Sequence, residues 1–164
     1  MITRNIVSFS TEATEEFGRA IAAVFSPGTI VVLEGDLGAG KTALTRGIAV
    51  GLKLTSSVTS PTYTIVTEHL AAQGGTDLFH FDVYRLQGSD DFIAAGLDEY
   101  FYRGGVCVIE WGDKIEDILP ESRIRIELRG NGSKRDISLF YPESMQSSMN
   151  PAIESLSANK EIEI

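Results

Sequence analysis

Apolar positions change their spacing along the chain, and each change marks an element. Residues 29–33, TIVVL, form a short β-branched run that predicts a strand buried on both faces. The following ALTRGIAVGL places Ala43, Leu44, Gly47 and Ile48 near one face of a helix. Upstream, a short strand is expected at residues 6–9. Ser10 can then cap a helix running to about Phe25, with Glu12 in its first turn and Ser-Pro-Gly at its end. Two β-rich segments, 62–69 and 76–84, flank a Gly-Gly turn and predict a hairpin. Helical spacing returns in DDFIAAGLDEYFYRGG, a buried strand in VCVIEW, and a short helix in DKIEDIL, which Pro120 stops. RIRIEL and DISLFY alternate apolar and polar residues around GNGS and predict a last hairpin.

Helices set between apolar strands imply an α/β fold: a central, mainly parallel sheet flanked by helices, with the hairpins as antiparallel additions. Residues 1–141 are expected to form this domain. From Pro142 onward the chain is rich in Ser, Asn and Glu, which predicts a mobile tail over residues 142–164.

At 164 residues and 43% hydrophobic content the chain is long enough for one domain with a sizeable core. It offers no apolar run of the roughly 20 residues that a membrane span needs and no apolar signal region after MITRN, so a cytoplasmic location without membrane contact is expected. Cys107 stands alone inside VCVI and reads as a small buried hydrophobe. The formal charge of −9 works against a broad grip on nucleic acid, so any RNA connection is expected to run through a partner. Arg123, Arg125 and Arg129 share one strand face, with Lys134 and Arg135 beyond the turn, and read as the solvated face of a hairpin.

The chemistry concentrates in residues 35–42, GDLGAGKT, which fit the phosphate-loop pattern G-x-x-x-x-G-K-[ST]. Gly35, Gly38 and Gly40 permit turns closed to residues with a Cβ, so backbone N–H groups of Asp36, Leu37, Gly38, Ala39, Gly40, Lys41, Thr42 and Ala43 can cradle phosphates. Lys41 would reach the β- and γ-phosphates, and the Thr42 hydroxyl suits Mg²⁺. Two acids can complete the site. In LFHFDVYR a period of two sets Leu78, His80, Asp82 and Tyr84 on one face, opposite Phe79, Phe81 and Val83. Glu110 closes the VCVI strand at the carboxyl edge where open α/β sheets bind ligands. Asp82 or Glu110 could hold Mg²⁺ while the other orients water, and the pattern does not choose between them. Plainer roles exist for the neighbours: Asp82 pairing with Arg85, His80 as a satisfied strand histidine, and Trp111 as core or as a stacking surface. Thr59, Ser60 and Thr62 around Pro61 supply hydroxyls in a rigid turn that could sense the γ-phosphate.

GDLGAGKT, SPTYTIV, HFDVYR and IEW in this order resemble the TsaE (YjeE) family, small bacterial P-loop ATPases of tRNA threonylcarbamoyladenosine synthesis; the likeness runs over about residues 6–141. The resemblance implies ATP as the nucleotide and Lys41 as its phosphate ligand. It also implies Thr42, Asp82 and Glu110 around Mg²⁺ and the hydrolytic water, and a switch role for SPTYT. As partners it implies TsaD and TsaB, which carry out the group transfer to tRNA while ATP hydrolysis by the TsaE-like protein resets the complex. Other readings of the loop are a small kinase, which would want an arginine-rich lid that the sequence lacks, and a nucleotide-responsive interaction module. A GTPase is disfavoured because N-K-x-D and a following D-x-x-G are missing.

Overall fold

The computed structural model describes residues 1–55, 58, 64–130 and 132–164. Among these, the strands are β1 (Ile2–Ser8), β2 (Ile30–Glu34), β3 (Val66–His69), β4 (Leu78–Asp82), β5 (Val106–Glu110), β6 (Ile124–Arg129), β7 (Arg135–Tyr141) and β8 (Ile162–Glu163). The α-helices are α1 (Thr11–Ala22), α2 (Lys41–Gly51), α3 (Ser89–Ala94) and α4 (Gln146–Glu154). The strands make one mixed sheet in the order β3-β4-β5-β2-β6-β7-β1-β8. Its centre, β4-β5-β2-β6, is parallel. β3 joins one edge antiparallel, and β7, β1 and β8 extend the other edge antiparallel.

Strict alternation in the central strands sorts their side chains into two cores. Val31, Leu33, Leu78, Val106 and Val108 face one side, where they meet Phe17, Ile21, Leu44 and Ile48 of α1 and α2. Ile30, Val32, Phe79, Phe81, Cys107 and Ile109 face the other, against Phe92, Leu97 and Ile115. Burial in this second core pushes the Cys107 thiol up to about 12, so it packs as a hydrophobe.

Helix α1 begins where Ser10 accepts a bond from the Ala13 N–H at 3.0 Å. It crosses α2 at very short range: a Cβ on Gly47 would stand 1.9 Å from the Glu15 carbonyl oxygen. That packing fixes the height of the loop that feeds α2.

Three expectations need correction. The helix expected over DDFIAAGLDEYFYRGG is two pieces, α3 and a 3₁₀ segment at Leu97–Tyr102, because Gly96 takes a left-handed φ of 73° and ends the first. The DKIEDIL helix is a 3₁₀ segment, Gly112–Ile118, broken at Ile115. Residues 142–164 are not a trailing tail. Met149, Ile153 and Leu156 fall at i, i+4 and i+7 on one face, and with Ile162 they are buried in the same core as Ile6, Phe17 and Tyr141. The Tyr141 hydroxyl donates to the Asn150 side chain at 2.7 Å, and β8 pairs with β1. The apolar residues are sparse in composition but coincide on one stripe. No helix among the described residues is long and apolar enough to cross a membrane.

Candidate nucleotide site

Parallel strands bring their carboxyl ends to one edge of the sheet, and the register there is decisive. Leu33 of β2 and Asp82 of β4 both pair with Glu110 of β5, so the loop leaving β2 and the two acids stand at the same level. The loop turns through Gly35 (φ 154°), Gly38 (φ 81°) and Gly40 (φ 104°), the last being the N-cap of α2. The Ala39 N–H donates to the Asp36 carbonyl at 3.0 Å and tightens the turn, burying Ala39 while Asp36 and Leu37 stay exposed. The first intrahelical bond is Leu44 N–H to the Gly40 carbonyl. The N–H groups of Lys41, Thr42 and Ala43 therefore precede the ladder, at the end of the helix whose dipole favours an anion.

A cleft of about 340 Å³ opens over this end, lined by Gly38, Gly40, Lys41, Thr42, Ala43 and Arg46 from the loop and helix, and by Asp82, Glu110 and Trp111 opposite. Lys41 Nζ donates to the Gly35 carbonyl at 2.5 Å and lies 3.7 Å from Glu110 Oε1. Glu110 is buried, and its Oε2 accepts from His80 Nε2 at 2.8 Å. His80 is fully buried with Nδ1 unpartnered among the described residues, an arrangement that suits the Nε2–H tautomer, which leaves only a lone pair inside. The alternation placed His80 on one face with Leu78 and Asp82; along that face burial falls from Leu78 and His80, both fully buried, to half-buried Asp82 and exposed Tyr84.

Asp82 is half-buried, and its Oδ1 accepts the Tyr84 N–H at 3.0 Å, an Asx-type turn that aims the carboxylate across the strand ends. Tyr84 packs against Trp111 with ring centroids 4.9 Å apart and planes tilted by 55°, and the Trp111 ring also lies 5.6 Å from Lys41 Nζ. Trp111 adopts a left-handed φ of 63°, uncommon for a bulky residue, directly before Gly112, where a Cβ would meet Val32 at 2.8 Å. The tight turn sends the indole to the cleft mouth, half exposed, rather than into the core. Arg85 is exposed in the turn beyond Tyr84. Ser60 and Thr62, expected as switch residues, lie outside the described residues.

Two arginines at the site carried no local signal. Arg46, one turn beyond Thr42 on α2, lines the cleft and pairs with Glu15 at 2.9 Å. Arg135, assigned from the pattern to a solvated hairpin face, instead reaches the glycine loop, where its Nη2 donates to the Gly38 carbonyl at 3.0 Å. Arg125 and Arg129 fit the solvated reading, each 3.4 Å from Glu127.

A glycine-shaped turn on a helix N-terminus, with a lysine inside it and two carboxylates at the neighbouring strand ends, stands at the carboxyl edge of the parallel strands of an α/β sheet. The sequence model described as "Threonylcarbamoyl adenosine biosynthesis protein TsaE" matches residues 8–137. The chain is 44% identical over 128 residues to the tRNA threonylcarbamoyladenosine biosynthesis protein TsaE of Bacillus subtilis, covering 77% of this chain and 78% of that one. It is 42% identical over 123 residues to the protein of the same name from Treponema pallidum, covering 75% and 89%. The crystal structure of Bacillus subtilis YdiB superposes with a TM-score of 0.71 at 35% identity over 96% of this chain and 95% of that one. This chain belongs to the TsaE family.

Proposed function

We propose that this protein is a Mg²⁺-dependent ATPase of the P-loop class that serves tRNA threonylcarbamoyladenosine formation, acting on a TsaD–TsaB complex rather than transferring the group itself. The observation that carries this reading is the meeting of Lys41, Thr42, Asp82 and Glu110 in one cleft over the α2 N-terminus. The names of the relatives supply the pathway.

In this reading the loop N–H groups and Lys41 hold the phosphates. Lys41 exchanges the Gly35 carbonyl for phosphate oxygens, which are better acceptors for an ammonium than a neutral carbonyl is. Thr42 and Asp82 are hard oxygen donors on facing walls of the cleft and fit Mg²⁺, which takes few protein ligands and keeps several waters. Bound there, the ion would neutralise charge developing between the β- and γ-phosphates. Glu110 orients the attacking water: His80 occupies Oε2 and fixes the carboxylate, leaving Oε1 toward the cleft. Ser60 and Thr62 are the proposed γ-phosphate sensors. Trp111 and Tyr84 form an aromatic surface at the mouth that can stack on a base.

Titrating a fluorescent ADP analogue into the purified chain with and without Mg²⁺ tests the binding half of the proposal. Saturable binding that ATP competes away is expected, and absence of binding at millimolar nucleotide would overturn it.

A further inference from the structure

The P-loop rests on the β6–β7 hairpin at both of its ends. At the entry, a Cβ on Gly35 would stand 2.8 Å from the Leu128 carbonyl oxygen of β6. Nearer the helix, a Cβ on Gly40 would stand 3.1 Å from Nε of Arg135, the first residue of β7. Gly40 thus has two reasons to lack a side chain, its φ of 104° and a guanidinium packed against it.

Arg135 is half-buried, and among the described residues its hydrogen bonds go to backbone carbonyls. Nη1 donates to Gly132 and Lys134 in the hairpin turn, both at 2.8 Å, and Nη2 donates to Gly38 at 3.0 Å. The planar fork of arginine can bridge two separate backbone segments in this way, whereas a lysine offers a point charge on a flexible stem. The chemistry of the loop explains the need. When a loop turns its N–H groups toward an anion, carbonyls such as that of Gly38 are left facing outward, and a side-chain donor fixed from another element holds such a peptide in one orientation.

We infer that Arg135 is a positioning residue for nucleotide binding: it clamps the Gly38 peptide to the β6–β7 hairpin and so holds the P-loop in its anion-cradling form before nucleotide arrives. This rests on the proposed ATP site and adds to it a residue from a strand on the far side of β6. The clamp acts through the loop and does not touch phosphate. Pre-ordering lowers the entropy lost on binding, so its removal raises KM and leaves the chemical step alone.

The test pairs two readouts on the full chain with Arg135→Gln, which keeps part of the stem and removes the fork. Arg135→Lys serves as a second variant that retains the charge. The first readout is amide hydrogen exchange over residues 35–42 without nucleotide, which should speed up at least about fivefold in Arg135→Gln while β2 and β5 stay unchanged. The second is ATP hydrolysis, in which KM should rise about tenfold with kcat within about twofold, and Arg135→Lys should fall between. Unchanged loop exchange overturns the clamp. A raised KM with unchanged exchange also overturns it, pointing to direct phosphate contact. If the wild-type chain binds no nucleotide, the ATPase proposal fails, and the exchange comparison still decides whether Arg135 orders the loop.

Discussion

Replacing Lys41 with methionine, which keeps the stem and removes the charge, should weaken ATP binding and also destabilise the empty protein. The two effects have different sources. The ammonium lies 3.7 Å from a Glu110 carboxylate oxygen, and the two side chains are only 13% and 9% exposed. Coulomb attraction at that separation, at the effective dielectric of a partly shielded site, is about 4 kcal/mol, most of it offset by desolvation of the two ions. Removing one partner leaves Glu110 with His80 as its side-chain partner among the described residues, so a net loss of about 1–3 kcal/mol is expected. For a chain of this length each kcal/mol lowers Tm by about 2–4 °C, giving a fall of roughly 2–12 °C. With nucleotide, each charge-assisted bond that Lys41 makes to phosphate contributes about 1.5–3 kcal/mol, so affinity should drop by roughly ten- to 150-fold for each. Calorimetric titration of ATP with Mg²⁺ and thermal unfolding of the same preparations read both numbers. An affinity within about threefold of wild type would refute the assignment of Lys41 to the phosphates.

Glu110→Gln keeps an oxygen for His80 while removing the charge, and it should hold ATP within a few-fold of wild type while hydrolysis falls about 10²–10⁴-fold; single-turnover measurements would expose an error through near-normal cleavage. Met149→Ala empties a fully buried site in the carboxyl-terminal segment, so denaturant unfolding should show a loss of about 2–5 kcal/mol, and a change below about 0.5 kcal/mol would mean that residues 142–164 do not belong to the core. Stability should also respond to His69, whose pKa is lowered first by burial and then by His80. The unfolded chain takes up this proton more readily than the folded one, so the neutral-His69 fold has its full stability above about pH 6.5 and loses it as pH falls below that value. Wild type should therefore lose more Tm than His69→Gln between about pH 7.5 and 5.5, and equal losses would contradict the burial argument.

Local patterns carried the parts of the site that are themselves local. The glycine spacing of residues 35–42 is a backbone requirement, and the structure has positive φ at Gly35, Gly38 and Gly40. Asp82 and Glu110 could be read as strand-end acids because a carboxylate that closes a buried apolar strand is costly unless it meets water, a cation or a donor there. Their pairing across β4 and β5 depends on sheet order, which no single segment encodes. Arg135 illustrates the limit most sharply: period two places it on a hairpin, yet its partner Gly38 lies 97 residues away. The same holds for residues 142–164, whose composition resembles a tail while Met149, Ile153 and Leu156 depend on β1 and α1 for the surface they cover. Trp111 reached the cleft mouth through a left-handed backbone that no propensity favours.

Mg²⁺-dependent phosphate release, measured on the purified chain alone and then with a TsaD–TsaB pair against a Lys41→Met control, decides whether the protein hydrolyses ATP in the service of threonylcarbamoyladenosine formation. Slow release that rises when the pair is added, and that the control lacks, is the predicted result. ATP binding with no release under either condition, or release that the pair leaves unchanged, would contradict the account.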